Sequence, residues 1–96
     1  MKLPKVSDFR LASVNATTSG KNGFSIASAV IEAKEGVAET VIGTPEEGKV
    51  IEDFPNGYNH FKEMKGTDTS QDYYLCTVQN RVTFENLTLT YVYAGN

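Results

Sequence analysis

The residues of this chain best suited to chemistry are a few cations spaced closely beside aromatic rings. Lys21 sits between glycines in Gly20-Lys21-Asn22-Gly23, and Phe24 follows at once. Two nearby glycines mark a flexible turn, so a cation and a ring meet where a loop enters an apolar run. Arg10 lies on an earlier alternating segment, Tyr58 follows Pro55-Asn56-Gly57, and Arg81 stands close to Phe84. A cation neutralises phosphate, and a ring stacks on the face that every base presents. The candidate nucleic-acid contacts are therefore Arg10, Lys21 and Arg81 on phosphates, with Phe24, Tyr58 and Phe84 on bases. Ten aromatic residues in a domain without Trp must also fill a core, which is the competing fate of each ring.

Groups for catalysis are scarcer. His60 is the only histidine, so a histidine-based metal cluster is not available. Cys76 lies in an apolar run, where a small buried thiol is the ordinary outcome. Glu46-Glu47 and Glu52-Asp53 supply carboxylates, but no spacing separates an acid from a base, and a solvated acidic face is the simpler reading. No glycine-rich phosphate loop of the Walker or Rossmann type is present. We expect no enzyme and no cofactor.

Ninety-six residues make one domain, residues 1–96, with a single modest core. Apolar residues at 40% and charged residues at 22% fit a folded soluble protein rather than a disordered one. No run approaches the length needed to span a bilayer. A lone cysteine and a start, MKLPKVSDFR, without a hydrophobic signal core lead us to expect a cytoplasmic protein. The net charge of -3 is unevenly spread. Residues 1–31 carry four cations against Asp8, whereas residues 32–53 carry seven acids against Lys34 and Lys49. Coating of nucleic acid by bulk charge is excluded, but a basic face on the N-terminal third is not.

The elements that would position these residues are mostly strands. Residues 6–14 alternate as a first strand, and NATTSGKNG reads as a long connection. Two sequons, Asn15-Ala16-Thr17 and Asn86-Leu87-Thr88, are read as chance matches. Residues 24–35 mix helix-favouring alanines and charges with β-branched residues; a strand turning at Glu35-Gly36 into VAETVIG is favoured, and a helix is the alternative. Thr44-Pro45-Glu46-Glu47 has the capping-box pattern for a helical turn or two. Phe54-Pro55-Asn56-Gly57-Tyr58 reads as a turn, YNHFKEMK as a short helix ended by Gly66, and GTDTSQD as a loop. The C-terminal third reads as a hairpin of YYLCTV and VTFENLTLTYVYA with Gln79-Asn80-Arg81 at its tip. Val82 and Phe84 share one phase, while Leu87, Leu89, Tyr91 and Tyr93 share the other, which predicts a β-bulge at Glu85-Asn86.

The order GKNGFSI, ETVIGTPEEGK, FPNGY and VQNRVTFENLTLTYV resembles that of the small single-stranded-DNA-binding proteins of filamentous phages, over residues 15–92. The resemblance implies a five-stranded OB-type β barrel, a homodimer, and Lys21, Phe24, Tyr58 and Arg81 turned toward the nucleic acid. The chain departs from that pattern in its acidity and in an apparent insertion, KEMKGTDTSQD. The expectation is thus an all-β or β-dominated fold, a small OB-like barrel with one short helix or helical turn and a C-terminal hairpin. Its expected partner is a single-stranded nucleic acid, bound without strong sequence preference. A rival reading is an acidic interaction module, such as a phage-type inhibitor of a host nucleic-acid-handling complex, that docks a basic protein through Glu46, Glu47, Glu52 and Asp53. A further rival is a virion or assembly component acting through its sheet edges.

Overall fold

The computed structural model describes residues 1–31, 44–77 and 82–94. Their regular structure is entirely β: β1 (Phe9–Ala27), β2 (Val30–Ile31), β3 (Thr44–Pro45), β4 (Val50–Glu63), β5 (Tyr74–Cys76) and β6 (Phe84–Tyr93). The fold is organised around β1. Along one side runs β4, antiparallel, from Ser13 opposite Glu63 to Ala27 opposite Val50. Along the other side lies β6, from Phe9 opposite Tyr93 to Thr18 opposite Phe84, and then β5, from Ser25 opposite Cys76 to Ala27 opposite Tyr74. The result is an open four-stranded sheet, with β2 and β3 forming a separate two-stranded ladder.

Alternation explains which side of β1 is buried. Leu11 faces in, and after one phase change so do Val14, Ala16 and Thr18, then Phe24 and Ile26. The phase change falls on Ala12, an extra residue against β6, because Leu11 faces Tyr91 while Ser13 faces Thr90. The inner side is covered by Leu3, Met64, Tyr73 and Leu75, with Phe84, Leu87, Leu89 and Tyr91 half-buried against them. The N-terminal segment is tied down by backbone: Leu3 N–H donates to Tyr73 O and Leu75 N–H to Met1 O, each at 2.8 Å.

The bulge expected in the last strand is present. Thr17 faces Asn86 and Thr18 faces Phe84, so Glu85 is the additional residue. It allows Phe84 and Leu87, three positions apart, to turn to the same core. Of the expected strand at 6–14, Phe9–Val14 form the start of β1 while Val6–Asp8 make a turn, with Phe9 N–H donating to Val6 O; Phe24–Ala27 and Val30–Ile31 are strand as favoured. Residues 32–35 and the Glu35-Gly36 turn lie outside the described residues.

Several expectations are corrected. NATTSGKNG is no connection but the middle of β1, whose polar residues occupy the outer side of the sheet and a register shift between Thr17 and Asn22. FPNGY and YNHFKE, read as turn and helix, are continuous strand in β4. Among the described residues β4 pairs only with β1, so Pro55 sits on an edge strand, where its missing N–H is tolerated. Thr44-Pro45 opens no helix: it is β3, followed by a turn in which Lys49 N–H donates to Glu46 O at 3.0 Å and Gly48 takes φ +78°. The two arms of the expected C-terminal hairpin, β5 and β6, pair with different parts of β1 instead. Its tip, Gln79-Asn80-Arg81, lies outside the described residues.

Candidate ligand-binding face

The inner side of the sheet holds the rings. Phe24 is 4% exposed and stacks on Phe54, with ring centroids 4.3 Å apart and planes 12° apart. His60 and Phe84 meet Phe24 edge-on at 5.1 and 5.2 Å. This is an aromatic core cluster, held by offset and T-shaped contacts. Phe24 has no ring face left for a base, and Phe84, half-buried against it, offers little more. The stacking role assigned to Phe24 by sequence is overturned by this packing, while Phe84 keeps part of its surface exposed.

The polar groups among these rings are satisfied internally. Thr18 Oγ1 lies 2.7 Å from Gly20 O, 2.9 Å from Gly57 O and 3.3 Å from His60 Nε2. Its single proton serves one of the carbonyls, so its oxygen can accept from the imidazole N–H. His60 is thereby a buried structural side chain, and Cys76 is fully buried. Burial pushes the Cys76 thiol above its ordinary pKa, away from a reactive thiolate.

The remaining candidates are scattered. Arg10 donates through Nη1 to Met64 O at 3.0 Å and to Thr67 Oγ1 at 3.4 Å, bracing β1 against the segment after β4. Lys21 is exposed, within the Thr18–Lys21 stretch that opposes the single residue Tyr58. Tyr58 is 52% exposed. Arg81 lies outside the described residues. Of the acidic set, Glu46 and Glu47 are exposed, but Glu52 pairs with Lys62 at 2.9 Å and Asp53 accepts from Ser25 Oγ at 2.8 Å.

The outer side of the sheet brings together residues that sequence reasoning passed over. Cross-strand pairing sets them in three rows: Asn59–Thr17–Asn86, Phe61–Asn15–Thr88 and Glu63–Ser13–Thr90. The rows between them, His60–Ala16–Leu87 and Lys62–Val14–Leu89, face the core. With strands about 4.8 Å apart and rows about 7 Å apart, the face measures about 10 by 14 Å. Phe61 is 60% exposed, and seven of the other eight residues are amides or hydroxyls. Among the described residues, none of those seven side chains makes a hydrogen bond within the protein, in contrast to Thr18, Ser25 and Thr67. A signal for this face was available. Asn-x-Thr occurs twice because, in a strand, it places Asn and Thr on one side and an apolar residue on the other. Phe61 was hidden by the reading of residues 58–65 as helix.

No known protein family, curated protein or solved structure matches the chain. The functional reading therefore rests on this geometry.

Proposed function

We propose that this protein is a binding module rather than a catalyst, and that it works through the outer face of β4–β1–β6. The observation that carries the reading is Phe61, a large ring 60% exposed at the side of an array of unengaged amides and hydroxyls. A ring held out from a paired strand can stack on a flat ligand surface, and it supplies much apolar contact for few frozen torsions. OB-type barrels use an exposed strand face in the same way for oligonucleotides and oligosaccharides. It is in this mode of binding that the phage-protein resemblance bears on the reading.

Single-stranded nucleic acid is a second reading, favoured by Lys21 and Tyr58, both exposed at the register shift between β1 and β4. The test of the face itself is common to both. A fluorescein-labelled dT oligonucleotide and an array of neutral and acidic oligosaccharides are offered to the protein and to Phe61→Ala at low salt. At least one class is bound by the parent, and Phe61→Ala weakens it by about 1–3 kcal/mol. A parent that binds neither, or a bound ligand indifferent to Phe61→Ala, overturns the reading.

A further inference from the structure

We infer that the ligand of this face is a neutral carbohydrate chain; the inference rests on the reading of β4–β1–β6 as the binding surface. Charge is the first argument. Of the nine residues in the three rows, Glu63 alone is ionisable, and it is an anion. A phosphate polymer laid along these rows meets no cation, and its affinity depends chiefly on such contacts. Lys21 and Lys65, both exposed, fall outside the rows at either end, Arg10 is bonded to Met64 and Thr67, and Lys62 is paired with Glu52. An acidic polysaccharide is disfavoured for the same reason.

Hydrogen-bonding chemistry is the second argument. Each sugar hydroxyl both donates and accepts, and it is best matched by groups that do the same. Asn15, Asn59 and Asn86 each carry two amide donors and a carbonyl acceptor, while Ser13, Thr17, Thr88 and Thr90 carry hydroxyls. Because these side chains have no partners within the described protein, a sugar replaces water without breaking internal bonds. Six of the nine residues lie on β1 and β6, whose pairing fixes their spacing before any ligand arrives.

The ring is the third argument. The apolar C–H face of a pyranose packs on an aromatic face, and C–H groups are attracted to its negative quadrupole. Phe61 lies directly beside Asn15, across which Thr88 follows, so one sugar unit can stack on the ring while its hydroxyls reach the neighbouring strand.

The experiment is an array of immobilised neutral oligosaccharides (gluco-, manno-, galacto- and N-acetylglucosamine-based) read with the parent, Phe61→Ala and Asn15→Ala. A dT oligonucleotide is titrated in parallel, and far-UV circular dichroism confirms that both variants are folded. The expected result is retention of one or more neutral oligosaccharides by the parent. That retention changes less than about twofold between ~50 mM and ~500 mM salt, because no ions are released. Phe61→Ala loses about tenfold or more, and Asn15→Ala loses several-fold. No neutral oligosaccharide retained, or one retained equally by Phe61→Ala, overturns the carbohydrate assignment. Salt-sensitive binding of the dT oligonucleotide alone, lost in Phe61→Ala, overturns the assignment while leaving the face as the binding surface.

Discussion

At the scale of single residues, the protein separates its aromatic side chains into two populations that composition does not distinguish. Phe24 and Phe54 are enclosed at 4% and 3% exposure, whereas Phe61 and Tyr58 are half exposed or more. All four are rings near glycines, amides or cations in the sequence, and only the register of β1 against β4 decides which way each one turns. Phe24→Ala should therefore behave as a core truncation. It removes a ring packed on Phe54, His60 and Phe84, so a loss of about 3–5 kcal/mol is expected in urea unfolding. Phe61→Ala should change the unfolding midpoint little. A Phe24→Ala protein as stable as the parent would show the inner cluster to be misplaced. Gly23 adds a steric check on the same register. A Cβ there would sit 2.5 Å from Phe54 O, while one at Gly57 would meet nothing nearer than 3.9 Å. Gly23→Ala should cost about 1–3 kcal/mol more than Gly57→Ala, measured as the difference of their urea midpoints.

At the scale of elements, the sequence is legible where apolar alternation is strong and illegible where a strand faces water with turn-forming residues. The change of phase between Phe84 and Leu87 announced the bulge at Glu85, because a two-residue period tolerates no other explanation. NATTSGKNG and FPNGYNHFKE defeated the same logic. Their Asn, Thr, Gly and Pro residues are outer-face positions, bulge positions or an edge proline in β1 and β4, and local preference yields to pairing with strands far along the chain. The face that carries the functional reading lies mainly in these misread stretches, which is why its residues were overlooked while the buried Phe24 was favoured. Deletion of Glu85 tests the element directly. Without it Phe84 and Leu87 stand two positions apart, so a regular strand turns both to the core and the bulge is no longer needed. The deletion should therefore cost about 1 kcal/mol or less, whereas deletion of Thr88, which puts Leu87 and Leu89 on opposite sides, should cost several kcal/mol or abolish the cooperative transition. Equal losses from the two deletions would show that the bulge does not set the phase.

At the scale of the whole molecule, two contacts that close the inner side of the sheet respond to alkaline pH in the same direction. Cys76, in β5, is buried beneath the N-terminal segment, and burial raises its thiol above the ordinary value of 9.0. Tyr91, in β6, donates its phenolic proton to Pro4 O, and burial raises its pKa above the ordinary value of 10.0. In the unfolded chain both groups ionise near their ordinary values, whereas the native protein keeps its protons. The native state then binds more protons, so stability must fall as pH rises. The contribution is fully present below pH 9.0, begins to be lost as the unfolded thiol ionises, and is lost further above pH 10.0 as the phenol follows. Acid acts in the opposite sense through Asp68, whose carboxylate is lowered below 3.8 by hydrogen bonds from the Ser70 N–H and hydroxyl. Its contribution is present above pH 3.8 and declines as the pH falls further. Urea midpoints measured under reducing conditions should thus rise toward pH 8.0, because burial holds the Met1 amine below its ordinary value of 8.0, and decline from near pH 9.0. Tyr91→Phe should lie below the parent at pH 7 by about 1 kcal/mol for the lost hydrogen bond to Pro4. It should converge on the parent as the phenol ionises, because the parent then loses the same bond. A Tyr91→Phe curve that runs parallel to the parent through the alkaline range would show that this contact does not hold the N-terminal segment to the sheet.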